Sequence, residues 1–194
     1  MTFNHIHQDM KILTAIFLGL FVFSSSAQSK VFMNRDEALE LAFPGAERID
    51  KREIILTREQ ADEIETLSKS KLSTRLYIVY EGFKGSESLG YAIIDTHDLR
   101  TKTETVMFVI NKDGTLRQAE ILAFFEPPEY MPGNNWISLF YGKSAEDTLK
   151  PGKDIPNITG ATITSTALAQ TMRQIIALAR VVLTGPDPKR STGE

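Results

Sequence analysis

Residues 103–124 read TETVMFVI-NKDG-TLRQAEILAF, two runs rich in β-branched and aromatic residues around the polar step Asn111-Lys112-Asp113-Gly114. Such runs suit a packed, pleated surface, and a short polar step ending in glycine suits a tight hairpin, so the two runs read as antiparallel neighbours. In the first run Val106, Phe108 and Ile110 share one face while Thr105, Met107 and Val109 share the other. Both faces are apolar. The sheet is therefore expected to be covered by helices on one side and by some other contact on the opposite side.

Working toward the N-terminus, RLYIVYEG (75–82) and LGYAIIDT (89–96) repeat the same composition, which makes four strands. Before them the period changes. Asn34, followed by Asp36, Glu37, Ala38, Leu39 and Ala42, reads as a capped amphipathic helix stopped at Phe43-Pro44-Gly45. Thr57-Arg58-Glu59-Gln60 fits a capping box, and Ala61, Ile64 and Leu67 continue at helical spacing, predicting a second helix near 58–71. Toward the C-terminus a proline-broken segment, EPPEYMPGNN (126–135), leads into WISLFYGK (136–143) and the turn-rich KPGKDIPN (150–157). Leu168, Met172, Ile175, Ile176, Ala179 and Leu183 then mark the buried face of a long helix from about 163 to 183, ended by Gly185-Pro186. The expected class is α+β: a twisted, mainly antiparallel sheet, two N-terminal helices and a long C-terminal helix. The expected boundaries are a helical segment at 28–74, a core at 75–184 and a polar tail at 185–194.

The first 27 residues carry an export pattern. Lys11 closes a polar stretch, Ile12–Phe23 is an unbroken apolar run of 12 residues, and Ser25 and Ala27 occupy the small-residue positions of a cleavage site. A comfortable membrane span takes about 20 apolar residues, so cleavage after Ala27 is favoured over a permanent anchor. Met10 offers a compact alternative start. The formal charge of the chain is −3, which excludes the basic footprint of a nucleic-acid binder. The chain has no cysteine, which excludes disulfides, thiolate metal sites, iron–sulfur clusters and a thiol nucleophile. Any redox chemistry therefore requires an added cofactor. A hydrolase is disfavoured because no nucleophile and base pair is apparent: His97 is the one histidine beyond the leader, and beside Asp98 at a strand end it reads as a surface residue.

The chemistry concentrates at Ile158-Thr159-Gly160-Ala161-Thr162-Ile163-Thr164-Ser165-Thr166, five hydroxyls and one glycine at the start of the last helix. A helix N-terminus presents unpaired N–H groups and the positive end of the dipole, a setting that holds phosphate; glycine lets the backbone come close. The alternative is structural: Thr159 or Thr162 simply caps the helix.

These residues resemble the FMN-binding domain of covalently flavinylated subunits in the sodium-pumping NADH:quinone oxidoreductase and the Rnf electron-transport complex. The hallmark [ST]-G-A-[ST] is matched by T-G-A-T-I-T-S. The order of the strands, the N-K-D-G-T-L hairpin, the Glu126 segment, Trp136-x-x-x-Phe140-x-Gly142-Lys143, the T-G-A-T turn and the closing helix follows the family across about 75–183. The resemblance implies FMN held by a phosphoester to Thr162, attached by a flavin transferase that takes FMN from FAD with AMP leaving. With Thr162 so assigned, the hydroxyls of Thr159, Thr164 and Ser165 are candidate donors to the phosphate, beside Gly160 and Ala161 of the same turn, and the leading expectation is an exported carrier passing electrons between membrane-bound and periplasmic partners. A non-flavinylated binding or scaffold module of the same fold is the alternative.

An isoalloxazine ring needs an apolar wall and a few orienting polar groups, for which Tyr130, Trp136 and Phe140 are candidates. Trp136 and Phe140 are also spaced to pack into a core. Lys143 is a candidate for stabilising negative charge near phosphate or ring, or else a solvated lysine, and Glu126 matches an acid that the family keeps near the flavin, or else is a loop acid. Two positions depart from the family: Pro156 stands where an Asp is usual, with Asp154 the nearest acid, and Glu126 is followed by Pro-Pro-Glu-Tyr instead of T-P-G-x-G.

Overall fold

The computed structural model describes residues 30–184 of the chain. The export leader, the choice between Met1 and Met10, and the tail after 184 lie outside the described residues. Strand β1 (Lys30–Val31) is followed by α1 (Arg35–Ala42), β2 (Arg48–Ile55), α2 (Arg58–Ser68), β3 (Leu76–Lys84), β4 (Glu87–Asp98), β5 (Thr103–Ile110) and β6 (Leu116–Phe124). A 3₁₀ turn (Pro128–Tyr130), the short helix α3 (Asn134–Ile137), a second 3₁₀ turn (Ser138–Phe140) and the long helix α4 (Thr162–Leu178) complete it, with a π turn at Ala179–Leu183. The class is α+β as expected.

Six strands form one sheet in the order β1-β6-β5-β4-β3-β2, with every neighbouring pair antiparallel. The four strands read from sequence are β3 to β6; β1 and β2 are additional. Strand β2 lies within the segment expected to be helical and pairs with β3 along its length, from Arg48 opposite Phe83 to Ile55 opposite Leu76. Its sequence RIDKREII is dominated by charge because it is an edge strand: charged side chains there discourage pairing with another chain.

Strand β5 is buried on both faces, as its sequence implies. Val106, Phe108 and Ile110 face a large core roofed by α2 and α4, into which Leu168, Met172, Ile175, Ile176, Ala179 and Leu183 all project. Met107 and Val109 face a smaller core closed by Ala38, Leu39, Ala42 and Phe43 of α1 and the residue after it. Helix α1 is thus the cover on the opposite side. Phe43 lies so close to β3 that a Cβ at Gly82 would stand 2.5 Å from its ring, so only glycine fits beneath it.

Both N-terminal helices open on reciprocal caps. The Asn34 side chain accepts from the Asp36 and Glu37 N–H groups while the Asn34 N–H donates to Glu37 at 3.0 Å. The Gln60 N–H donates to Thr57 Oγ1 at 3.2 Å and the Thr57 N–H to Gln60 Oε1 at 3.0 Å. Helix α2 ends at Ser68, short of the expected 71, because Lys69 takes a left-handed conformation with φ 53°. Helix α4 is tied to α2 by Arg173, which donates to the carbonyls of Ser68 and Leu149 at 3.0 Å each. Among the described residues no helix is long and apolar enough to cross a membrane.

Candidate functional site

Antiparallel pairing brings the β4–β5 turn and the end of β6 to the same end of the sheet, since Asp98 lies opposite Thr103 and Glu104 opposite Phe124. There a cleft of about 250 Å³ opens, lined by Arg100, Glu126, Tyr130 and the run Gly160–Thr164. Six of the expected site residues meet at this cleft: Glu126, Tyr130, Gly160, Ala161, Thr162 and Thr164.

The start of α4 differs from the structural alternative raised by its sequence. Neither Thr159 nor Thr162 caps the helix: the N-cap is Ala161, and no side chain accepts a hydrogen bond there. The nearby hydroxyls are engaged with carbonyls instead. Thr162 Oγ1 donates to the Ile158 carbonyl at 3.4 Å and Ser165 Oγ to the Thr162 carbonyl at 3.2 Å. The N–H groups of Thr162, Ile163 and Thr164 consequently have no partner among the described residues. An alanine N-cap forgoes about 0.5–2 kcal/mol relative to Ser, Thr, Asn or Asp. Gly160, at φ +84°, shapes the turn and leaves its outer side open, with no atom within 4 Å of where a Cβ would be. The result is an exposed Thr162 hydroxyl beside free backbone donors at the positive end of a 17-residue helix.

Glu126 is almost fully buried, and its Oε1 accepts from the Thr101 N–H (2.6 Å), the Thr101 hydroxyl (3.0 Å) and the Lys102 N–H (2.9 Å). The Thr101 N–H above all holds this carboxyl below the usual glutamate range, against the opposing effect of burial. Glu126 therefore fastens the β4–β5 turn to the cleft wall, and as a carboxylate this well satisfied it is a weak proton acceptor. Arg100, carried on that turn, and Ile163, just over half exposed, line the cleft although neither was singled out in the sequence. Arg100 is reachable by argument, because an antiparallel β4–β5–β6 meander puts the 99–102 turn beside Glu126. No periodicity marks it.

Five expected contacts are placed away from the cleft. Phe140 is fully buried and Trp136 nearly so, their ring centroids 5.1 Å apart, which is the core-packing alternative. The Trp136 Nε1–H donates to the Pro156 carbonyl at 2.7 Å, anchoring the loop that leads into the T-G-A-T turn. Lys143 is partly exposed and forms an ion pair with Asp147 at 3.5 Å. Thr159 is exposed without lining the cleft, and Ser165 is buried beneath the first turn of α4. Asp154 is occupied in its own loop: burial pushes its carboxyl up, but the N–H groups of Lys150 and Leu149 outweigh that and hold it low.

His97 corrects the surface reading. It is largely buried between two carboxylates, Nδ1 2.9 Å from Asp95 and Nε2 2.8 Å from Glu104, the latter fully buried. Burial alone would lower its pKa, but hydrogen bonds and charge from Asp95 and Glu104 prevail and raise it to about 9. Both ring nitrogens are taken, so His97 is not free to serve as a base. Among the described residues no group of three or more His, Asp or Glu side chains is placed to hold a metal ion.

Comparison with known proteins agrees with the geometry. Residues 101–177, from the β4–β5 turn to the end of α4, match the FMN-binding domain family. No curated protein matches the chain. The matched segment begins beside Arg100 and contains Glu126, Tyr130, the T-G-A-T turn and all but the last residue of α4. Cleft, open helix start and the segment that matches the FMN-binding domain family coincide.

Proposed function

We propose that this chain is an exported electron carrier whose FMN is esterified through its phosphate to Thr162 Oγ1. The observation that carries the reading is the exposed Thr162 hydroxyl at a helix start that no side chain caps, on the wall of a cleft within the segment that matches the FMN-binding domain family. The residues fit the group. The free N–H groups of Thr162, Ile163 and Thr164 suit a phosphate, the open side of Gly160 gives it room, and Tyr130 and Ile163 supply apolar surface for a ring. When bound, the isoalloxazine supplies one- and two-electron chemistry.

Attachment is assigned to a flavin transferase acting on FAD. Thr162 Oγ1 forms the new bond to the FMN phosphorus as the phosphoanhydride bond to adenylate breaks; AMP leaves, the hydroxyl proton is released, and no atom changes oxidation state. Glu126, the one carboxylate lining the cleft, is a weak proton acceptor because three hydrogen bonds end on its Oε1, and His97, outside the cleft, is engaged with Asp95 and Glu104. The base belongs to the transferase. Covalent attachment suits an exported protein, because a dissociable flavin would be lost by dilution; the leader pattern at 1–27 supports export to a periplasm-type compartment. Membrane-bound and soluble redox proteins are the expected electron donor and acceptor.

The test is co-expression with a flavin transferase, followed by denaturation, in-gel fluorescence and intact mass. The expected outcome is a wild-type chain heavier by one FMN less water, no added mass in Thr162→Ala, and labelling retained in Thr164→Ala. A wild-type chain without added mass rejects the reading and leaves a binding module of this fold.

A further inference from the structure

The geometry points to Arg100 as the second half of an anion clamp that closes on the FMN phosphate from the β4–β5 turn. The inference rests on the reading that the phosphate is seated at Thr162.

Arg100 is the one cationic side chain among the residues that line the cleft. Among the described residues its guanidinium takes part in neither an ion pair nor a hydrogen bond. Arg58 and Arg75 are likewise without such a partner among the described residues but do not line this cleft, whereas Arg117 is committed to the Leu89 carbonyl at 2.8 Å, Arg173 to Ser68 and Leu149, and Arg52 to buried Glu81 at 3.1 Å. The turn that carries Arg100 is held in place, because the next two residues donate three hydrogen bonds to Glu126 Oε1. Those bonds occupy Glu126 Oε1, and the Arg100 guanidinium forms no ion pair with this carboxylate. The phosphate is the portion of FMN whose place the chain itself determines, being one bond from Thr162 Oγ1. A planar guanidinium matches phosphate oxygens two at a time. The helix start and Arg100 thus present two positive groups to one anion from two separate elements.

Lys143, the cation expected from sequence, is placed elsewhere with Asp147 as its partner. Arg100 takes over the assignment.

The test uses the full chain made without a transferase, titrated separately with FMN and with riboflavin, which differ only in the phosphate, and read by flavin fluorescence. Wild type is expected to bind FMN about tenfold or more tighter than riboflavin. Arg100→Gln is expected to lose most of that ratio while its riboflavin affinity and melting temperature stay at the wild-type values. Arg100→Lys, a point charge without the fork, is expected to keep part of it.

The clamp is overturned by an unchanged ratio in Arg100→Gln. It is also overturned if both flavins weaken together, which would set the guanidinium against the ring, or if wild type shows no FMN preference or no binding up to the flavin solubility limit. Covalent labelling separates the two claims. A wild-type chain labelled at Thr162, with an unchanged ratio in Arg100→Gln, removes the clamp and leaves flavinylation standing; absence of both label and FMN preference removes both.

Discussion

Helices α2 and α4 pack against each other, yet they begin in opposite ways. At α2 the Thr57 and Gln60 side chains close on each other's backbone donors, and the first turn is complete within the chain. At α4, the longer helix and the richer in nearby hydroxyls, the cap is Ala161, and Thr162 and Ser165 turn their hydroxyls to carbonyls. The hydroxyl-rich sequence would satisfy the first turn of α4 as readily as Thr57 satisfies that of α2. The fold withholds those groups and leaves donors facing the cleft. A closed start serves the domain's own stability, whereas an open start is available to something outside the chain.

The largest expected effect that breaks this contrast is Thr162→Ala, which should remove covalent FMN altogether while leaving the thermal midpoint of the unlabelled chain unchanged, as read by mass and by calorimetry. Next is the interior charge at His97, closed within the fold like the start of α2. His97→Gln leaves Glu104 buried without its cationic partner and should cost about 3–5 kcal/mol in denaturant unfolding. The same cluster sets a pH dependence. The pKa of His97 is raised from an ordinary 6.5 to about 9 in the folded chain. Its contribution is therefore complete below pH 6.5 and is lost as pH rises through about 9, so unfolding free energy should fall across that window in wild type and stay flatter in His97→Gln.

Thr57→Ala should cost about 1 kcal/mol, with labelling at Thr162 unchanged. The smallest effect sharpens the contrast most. Ala161→Ser supplies α4 with the acceptor it lacks and should stabilise the chain by about 0.5 kcal/mol, while slowing labelling because the serine competes with phosphate for the same N–H groups. A gain in stability without slower labelling would mean that the open start has no part in seating the phosphate.

Much of this was legible in the sequence where neighbours along the chain decide the outcome. The 103–124 hairpin, the caps at Asn34 and Thr57 and the buried face of α4 are local patterns, and each appears where its residues place it. The T-G-A-T turn stands out by its hydroxyls and glycine at a helix start and by resemblance, Glu126 by resemblance, and Tyr130 as an aromatic suited to a ring wall. What escaped depends on contacts between distant segments. Strand β2 looks unlike a strand because one side of it faces solvent as an edge, and it is defined by β3 some 28 residues away. Arg100 gains its role only when the β4–β5 turn meets residues 126 and 160–164. His97 looked exposed because the partner that buries it, Glu104, is on the neighbouring strand. Trp136 and Phe140 carried two readings, and the depth of the core chose between them.

The tie between Trp136 and the Pro156 carbonyl has a practical sequel. Trp136 is the only tryptophan in the chain, so all indole emission comes from a residue that braces the loop running into the attachment turn. Resonance energy transfer to a tethered flavin would dim that emission in the folded protein, and solvent exposure on unfolding would shift it to the red. One intrinsic chromophore thereby reports both prosthetic-group occupancy and the integrity of the loop beneath it, with no external dye.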